Sequence, residues 1–142
     1  MGLSSFATTP IPQTPTAGTE YQPGVCNIGP AEIARRRRAG HVGLAATVVV
    51  LGALVAIGAP PLARLVVALP AAAAASGYLQ ARFHFCAGFG SRGVFNFGPL
   101  GQINQVVDAE ARSRDRARSM QIGVASLVVG VAVGVAAFVL PL

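Results

Sequence analysis

Three stretches of this chain stay apolar for longer than a soluble helix needs. The first, residues 41–58 (HVGLAATVVVLGALVAIG), carries no charge and at about 18 residues is near the minimum for crossing a bilayer core. Ala59-Pro60-Pro61 then forces a tight turn. The second stretch, residues 62–81, has Arg64 near its start, where a guanidinium can snorkel to the interface. Pro70 in its middle predicts a kink. The third, residues 120–142, is uncharged throughout, long enough to cross with some tilt. A buried helical hairpin of a soluble protein competes for the first two stretches, and the short Pro-Pro turn favours a membrane hairpin. The pattern predicts an all-α membrane protein with three transmembrane helices, a hairpin over 41–81 and a third span over 120–142.

The polar segments between them divide further. Residues 1–25 are rich in Thr, Ser, Gly and Pro, with Pro10, Pro12, Pro15 and Pro23, which predicts an extended tail, disordered alone. Residues 26–40 predict a short interfacial helix. Asn27 or Gly29 can cap it, Pro30 suits its first turn, and Glu32 favours its positive end. Residues 82–119 predict a Phe/Gly loop followed by a charged helix. Phe83, Phe85, Phe89, Phe95 and Phe97 alternate with glycines, an irregular loop whose rings dip into the interface or a partner. Beyond it, Asp108 with Arg112 and Glu110 with Arg114 stand at i,i+4 with the acid first, the favoured order. This helix should run straight into the third span.

Composition supports the membrane reading. Only 11% of the residues are charged and 53% are hydrophobic, against about 25% charged in soluble domains, too few to clothe a soluble core. All eleven basic residues are Arg, against five acids. Nucleic-acid binding is disfavoured because the arginines flank apolar spans, where they set orientation. Arg35, Arg36, Arg37 and Arg38 precede the first span, six more arginines lie between the second and third, and only Arg64 lies on the other side. The expected location is a bacterial inner membrane, with the N-terminus and long loop cytoplasmic and the C-terminus outside. The Arg35–Arg38 run is also suited to anionic lipid. No signal-peptide apolar core occurs in residues 1–24.

The pattern Asn27-x-Gly29-x-x-Glu32-x-x-x-Arg36-x-x-x-Gly40 before an apolar hairpin, with Phe85-Cys86 and Gly88 or Gly90 after it, resembles the small YgaP-like inner-membrane domain family. The resemblance covers about residues 26–93 and implies a two-helix membrane hairpin, without a defined activity. The chain departs from that pattern at Ile33, where the family often has a second Arg. The third span and Phe-rich loop are additions, and no rhodanese-like sulfurtransferase domain is attached.

Four residues could carry chemistry. The hairpin brings His41 and His84 to the same end of neighbouring helices, with Cys26 and Cys86 nearby. Two Cys and two His can hold zinc or another soft metal, or the thiols can form a redox pair. Against this, His84-x-Cys86 is not a usual short zinc signature, and buried cysteines with interfacial histidines account for the same residues. A haem on His41 and His84 is disfavoured because both lie at the interface. Transport needs polar groups at midplane, and only Thr47, Ser76, Gln80 and Ser126 are offered. No nucleophile–base grouping occurs, and Gly88, Gly90 and Gly93 follow a membrane helix, not a strand, so they are no dinucleotide loop. No catalytic residue and no cofactor is expected.

Small residues form the clearest surfaces. Ser126, Gly130 and Gly134 repeat at i,i+4,i+8 on the third span with Gly123 on the adjoining turn, Gly52 and Ala56 lie on the first span, and Ala68, Ala72 and Ser76 on the second. Such stripes let helices approach closely, either within the chain or against a partner. The function expected is a non-catalytic accessory subunit of a larger membrane protein complex, in an electron-transfer assembly of respiration or photosynthesis. The alternative is a small membrane protein handling sulfur, metal or redox state through Cys26 and Cys86 with His41 and His84.

Overall fold

The computed structural model describes residues 20–142, so most of the predicted tail lies outside the described residues. Four helices and one small hairpin follow in order: α1 Pro30–Ala56, a 3₁₀ segment Pro61–Val67, α2 Ala68–Phe83, α3 Ala87–Arg92, β1 Val94–Phe95, β2 Asn104–Gln105 and α4 Ala109–Val139. Three helical stretches, Pro30–Ala56, Pro61–Phe83 and Ala109–Val139, are long and apolar enough to cross a membrane. The chain thus has the helices of a multi-pass membrane protein.

The predicted interfacial helix over 26–40 is not separate. Nothing between Pro30 and Ala56 breaks a helix, and α1 runs unbroken through the arginines into the first span. At 27 residues it is about 40 Å long, more than the hydrocarbon core of a bilayer requires. α4 likewise joins the charged helix to the third span in one 31-residue rod. Asp108 caps it by accepting from the Ala111 N–H at 2.8 Å. The expected Asp108–Arg112 pair is therefore replaced by a cap, whereas Glu110 and Arg114 do pair.

Pro70 does not stand in the middle of α2. The chain enters as a 3₁₀ segment and α2 begins only at Ala68, which puts Pro70 in the first helical turn, where a missing N–H costs nothing. Arg64 does not snorkel outward either. It is 7% exposed and donates to the Leu140 and Leu142 carbonyls at 3.2 and 3.0 Å, tying the end of α4 to the 3₁₀ segment.

α2 lies in the middle, packed on α1 along one side and on α4 along the other. Both contacts are made by backbones meeting at small residues. Gly77 stands so near the Gly40 backbone and the Arg36 carbonyl that no Cβ fits, and Gly43 meets the Ala74 backbone in the same way. Gly130 faces the Ala68 carbonyl and Ala72, and Gly134 faces Ala68. The Ala68–Ala72 and Ser126–Gly130–Gly134 stripes read from the sequence therefore pack on each other. Thr47, Ser126 and Gln80 in the spans bond within their own helices. Thr47 donates to Gly43 O at 2.8 Å, Ser126 to Ile122 O at 2.7 Å, and Gln80 bonds Ser76.

Candidate functional site

At the Arg-rich end of the helices the chain ties a compact polar knot. Its centre is Cys86, which follows the end of α2 and caps α3. Asn27, fully buried, holds the Cys86 peptide with both ends of its amide: Oδ1 accepts from Cys86 N–H at 2.6 Å and Nδ2 donates to Cys86 O at 3.0 Å. The Asn27 and Ile28 N–H groups donate to the His84 carbonyl at 3.2 and 3.4 Å. The Asn27 carbonyl accepts from Asn96 N–H at 3.0 Å, and Gly29 N–H donates to Asn96 O at 2.8 Å. Gly29 is required here because a Cβ would stand 2.9 Å from the Phe97 backbone.

The sulfur of Cys86 accepts from two N–H groups. Arg36 Nη2 is 2.9 Å away and the Phe89 amide 3.4 Å. The same guanidinium lies 3.7 Å from Glu32 Oε2, and Arg35 lies 3.8 Å from Oε1. Glu32 is 1% exposed, and a carboxylate buried that deeply needs a cation beside it. Glu32 Oε2 and Arg36 Nε have no hydrogen-bond partner among the described residues. Ile28, Cys86, Phe89 and Val94 form the apolar floor, with Ile33 against it. Each residue of the pattern Asn27, Gly29, Glu32, Arg36 and Gly40 thus has a specific contact in this knot or in the hairpin below it.

The four proposed metal ligands are not assembled. Among the described residues no three His, Cys, Asp or Glu side chains are grouped to hold a metal ion. Cys26 and Cys86 are both buried and not disulfide-bonded, and Cys26 Sγ lies 3.8 Å from the Ile28 carbonyl. His41 instead pairs its Nδ1 with the Tyr78 hydroxyl at 2.7 Å. His84 ends α2 with φ +53°, the one non-glycine residue with positive φ among the described residues. This conformation costs about 1–2 kcal/mol, offset by the two N–H groups on its carbonyl. His41 and His84 line one open pocket with Arg37, Tyr78 and Arg82.

The aromatic loop is not a row of interface-dipping rings. Phe85 and Phe89 are buried in the chain's own core, because Gly90 and Ser119 let α3 lie close on α4. Ser119 Oγ donates to Ala87 O at 2.8 Å. Phe95 stacks on Tyr21 at 4.7 Å, with Phe97 tilted beside it at 6.1 Å. Phe83 remains 39% exposed under the Arg118 guanidinium, 4.4 Å from the ring centroid, a favourable cation–π distance.

The sequence reading missed Asp115. It is fully buried and receives the Tyr21 hydroxyl at 2.8 Å and the Gly24 N–H at 2.7 Å. Residues 20–26 are therefore not the end of a loose tail. They form a turn, closed by Gln22 and Cys26, that is clamped to α4. Burial raises the Tyr21 phenol well above its ordinary value, and the hydrogen bond to Asp115 and the charges of Asp115 and Asp108 raise it further. Among the packing residues, Ser126, Gly130 and Gly134 are buried against α2. Gly52 and Gly123 have open space where a side chain would stand, and Ala56 is exposed.

Comparison with protein-family models, with curated proteins and with solved structures finds no match to this chain.

Proposed function

We propose that the chain is a non-catalytic accessory subunit of a larger membrane protein complex in a bacterial inner membrane, with its Arg-rich knot cytoplasmic and the end of α4 outside. The observation that carries the reading is the set of small residues left open on the outer faces. Glycine inside a helix costs about 1 kcal/mol relative to alanine. Gly40, Gly43, Gly77 and Gly130 offset that cost by close helix contact within the chain, whereas Gly52 and Gly123 touch nothing. Gly123 opens a groove of about 690 Å³ between α2 and α4, with Ala72, Ser76, Met120 and Leu127 along it. A partner helix seated there gains the close approach that small residues permit. Only 17–28% of each apolar window is buried within the chain, which leaves ample surface for neighbours and lipid. Respiratory and photosynthetic electron-transfer assemblies are the proposed hosts, since small helical subunits are common there.

The test is gentle detergent extraction from native membranes, followed by native-gel mass spectrometry with elemental analysis. Wild type should migrate with a large assembly, and Gly52→Leu with Gly123→Leu should migrate as a folded single chain. A wild-type protein that leaves native membranes as a stable, partner-free monomer overturns the proposal.

One contact favours a second reading, sulfur or redox handling at Cys86. Both neighbours of its sulfur are donors, the surroundings a sulfur nucleophile uses. Metal binding by the four-residue set is not part of it. A Cys86→Ser variant should insert normally and lose any sulfane sulfur carried by the protein. Full retention of that sulfur in the variant sinks this reading.

A further inference from the structure

We propose that the open pocket at the Arg-rich end of the α1–α2 hairpin binds a phosphate group, presented by an anionic phospholipid headgroup. The pocket encloses about 450 Å³ and is lined by Arg37, His41, Tyr78, Ala81, Arg82 and His84. It offers two guanidinium forks, a phenol and two imidazoles, and no carboxylate lines it. Guanidinium forks match phosphate oxygens with paired hydrogen bonds.

The charge balance of the chain leaves the cations of this pocket unpaired among the described residues. Glu32 is held by Arg35 and Arg36, Glu110 by Arg114, Asp108 by the α4 cap, and Asp115 by Tyr21 and Gly24. The remaining acid, Glu20, is exposed and does not line the pocket. Among the described residues, Arg37 and Arg82 therefore face each other's side of the hairpin without an acidic partner. The C-terminal end of α2 points its dipole the wrong way for an anion, equivalent to about half a charge, which two full guanidinium charges outweigh.

Position in the layer points to lipid as the source. His41 opens the uncharged stretch of α1, and Arg82 closes that of α2. Both therefore sit where apolar helix gives way to polar, the depth of a bilayer's phosphates. The pocket is also held in shape. Tyr78 lies against Gly40 and bonds His41 across the hairpin, and the His84 carbonyl is fixed by the Asn27 and Ile28 amides.

The chain has two histidines, and both line this pocket, so their ring NMR signals report on it alone. The full chain in neutral detergent is titrated, at fixed pH, with short-chain phosphatidylglycerol, with short-chain phosphatidylcholine and with inorganic phosphate. We expect saturable shifts of both histidines with phosphatidylglycerol, at least tenfold tighter than with phosphatidylcholine. Arg37→Gln with Arg82→Gln, both surface positions, should weaken them at least tenfold. Arg112→Gln with Arg114→Gln, an equal loss of charge on α4, should leave them within twofold. Arg37→Lys with Arg82→Lys should fall between, since the charge stays and the fork is lost. Saturation by inorganic phosphate with the same arginine dependence, and no preference between the lipids, supports the phosphate site and assigns it to a soluble source. No saturable shift with either phosphate probe, or equal weakening in both Gln variants, overturns the proposal.

Discussion

Replacing Asn27 with Ala should open the knot around Cys86, and the size of the effect follows from two hydrogen bonds. The Asn27 amide is the partner of both Cys86 N–H and Cys86 C=O, at 2.6 and 3.0 Å, and Asn27 has no exposed surface. Its removal leaves the buried Cys86 N–H unmatched, at a cost of about 1–3 kcal/mol, and takes one of two bonds from Cys86 C=O, about 0.5–1.5 kcal/mol, since the Gly90 N–H still donates to that carbonyl at 2.9 Å. The closed state thus loses about 1.5–4.5 kcal/mol relative to a locally open one. Because about 1.4 kcal/mol is tenfold in a population, the open state should rise roughly tenfold to thousandfold. Cys86 is 2% exposed in the closed state, so its alkylation by a water-soluble maleimide tracks that population. The assay uses a Cys26→Ser background, leaving Cys86 as the sole thiol. Asn104→Ala, at an exposed position of β2, serves as the control and should not change the rate. An Asn27→Ala rate within threefold of the parent would refute the claim that the amide clamp closes the knot.

Gly77→Leu should destabilise the hairpin by at least about 1–3 kcal/mol through overpacking, because a side chain there meets the Gly40 backbone and the Arg36 carbonyl. Gly52→Ala, with open space around it, should hold or raise stability by up to about 1 kcal/mol; thermal unfolding in detergent compares the two. Arg36→Leu leaves Glu32 buried without its inner cation, a loss of about 3–5 kcal/mol. Arg38→Leu, at an exposed position, should be nearly neutral in the same assay. For Tyr21 the folded phenol ionises above the unfolded one, so its stabilisation is complete below about pH 10 and is lost as pH rises beyond it. Tyr21→Phe should abolish that alkaline loss, and an unchanged alkaline profile in the variant would count against the Tyr21–Asp115 clamp.

The spans were legible because charge is nearly absent from them, Arg64 being the one exception, and scarcity of charge needs no knowledge of the fold. The Glu110–Arg114 pair and the continuity of α4 were legible for a similar reason, since both depend on local helical spacing. Phe85 and Phe89 misled because a Phe/Gly alternation has no period that separates an outward ring from an inward one. What turns them inward is Gly90 meeting Ser119 of α4, a contact between distant parts of the chain. Asp115 was hidden more completely. Within RSRDRARS it reads as one more solvated partner for its arginines, and its actual partners, Tyr21 and Gly24, lie more than ninety residues away. Gly52 and Gly130 look alike as small positions in an apolar helix. Only the position of α2 makes one a buried contact and the other an open surface.

The arginine run shows where more could have been read. Taken as a block, Arg35 to Arg38 is a single positive patch, yet on a helix each residue turns about 100° from the last. The inward row of α1 is Glu32, Gly40, Gly43 and Thr47, spaced by eight, three and four, and Arg36 fills the gap midway between Glu32 and Gly40. Phase alone therefore selects Arg36 as the inward arginine, once Gly40 is recognised as a helix-contact residue. The next position, Arg37, lines the pocket it shares with His41 and Arg82, and like Arg35 and Arg38 it is exposed. One run of identical charges thus serves a buried ion pair and an open cationic pocket at once. The charge total can set orientation, but helical phase decides which arginine turns inward to Glu32 and Cys86 and which lines the open pocket.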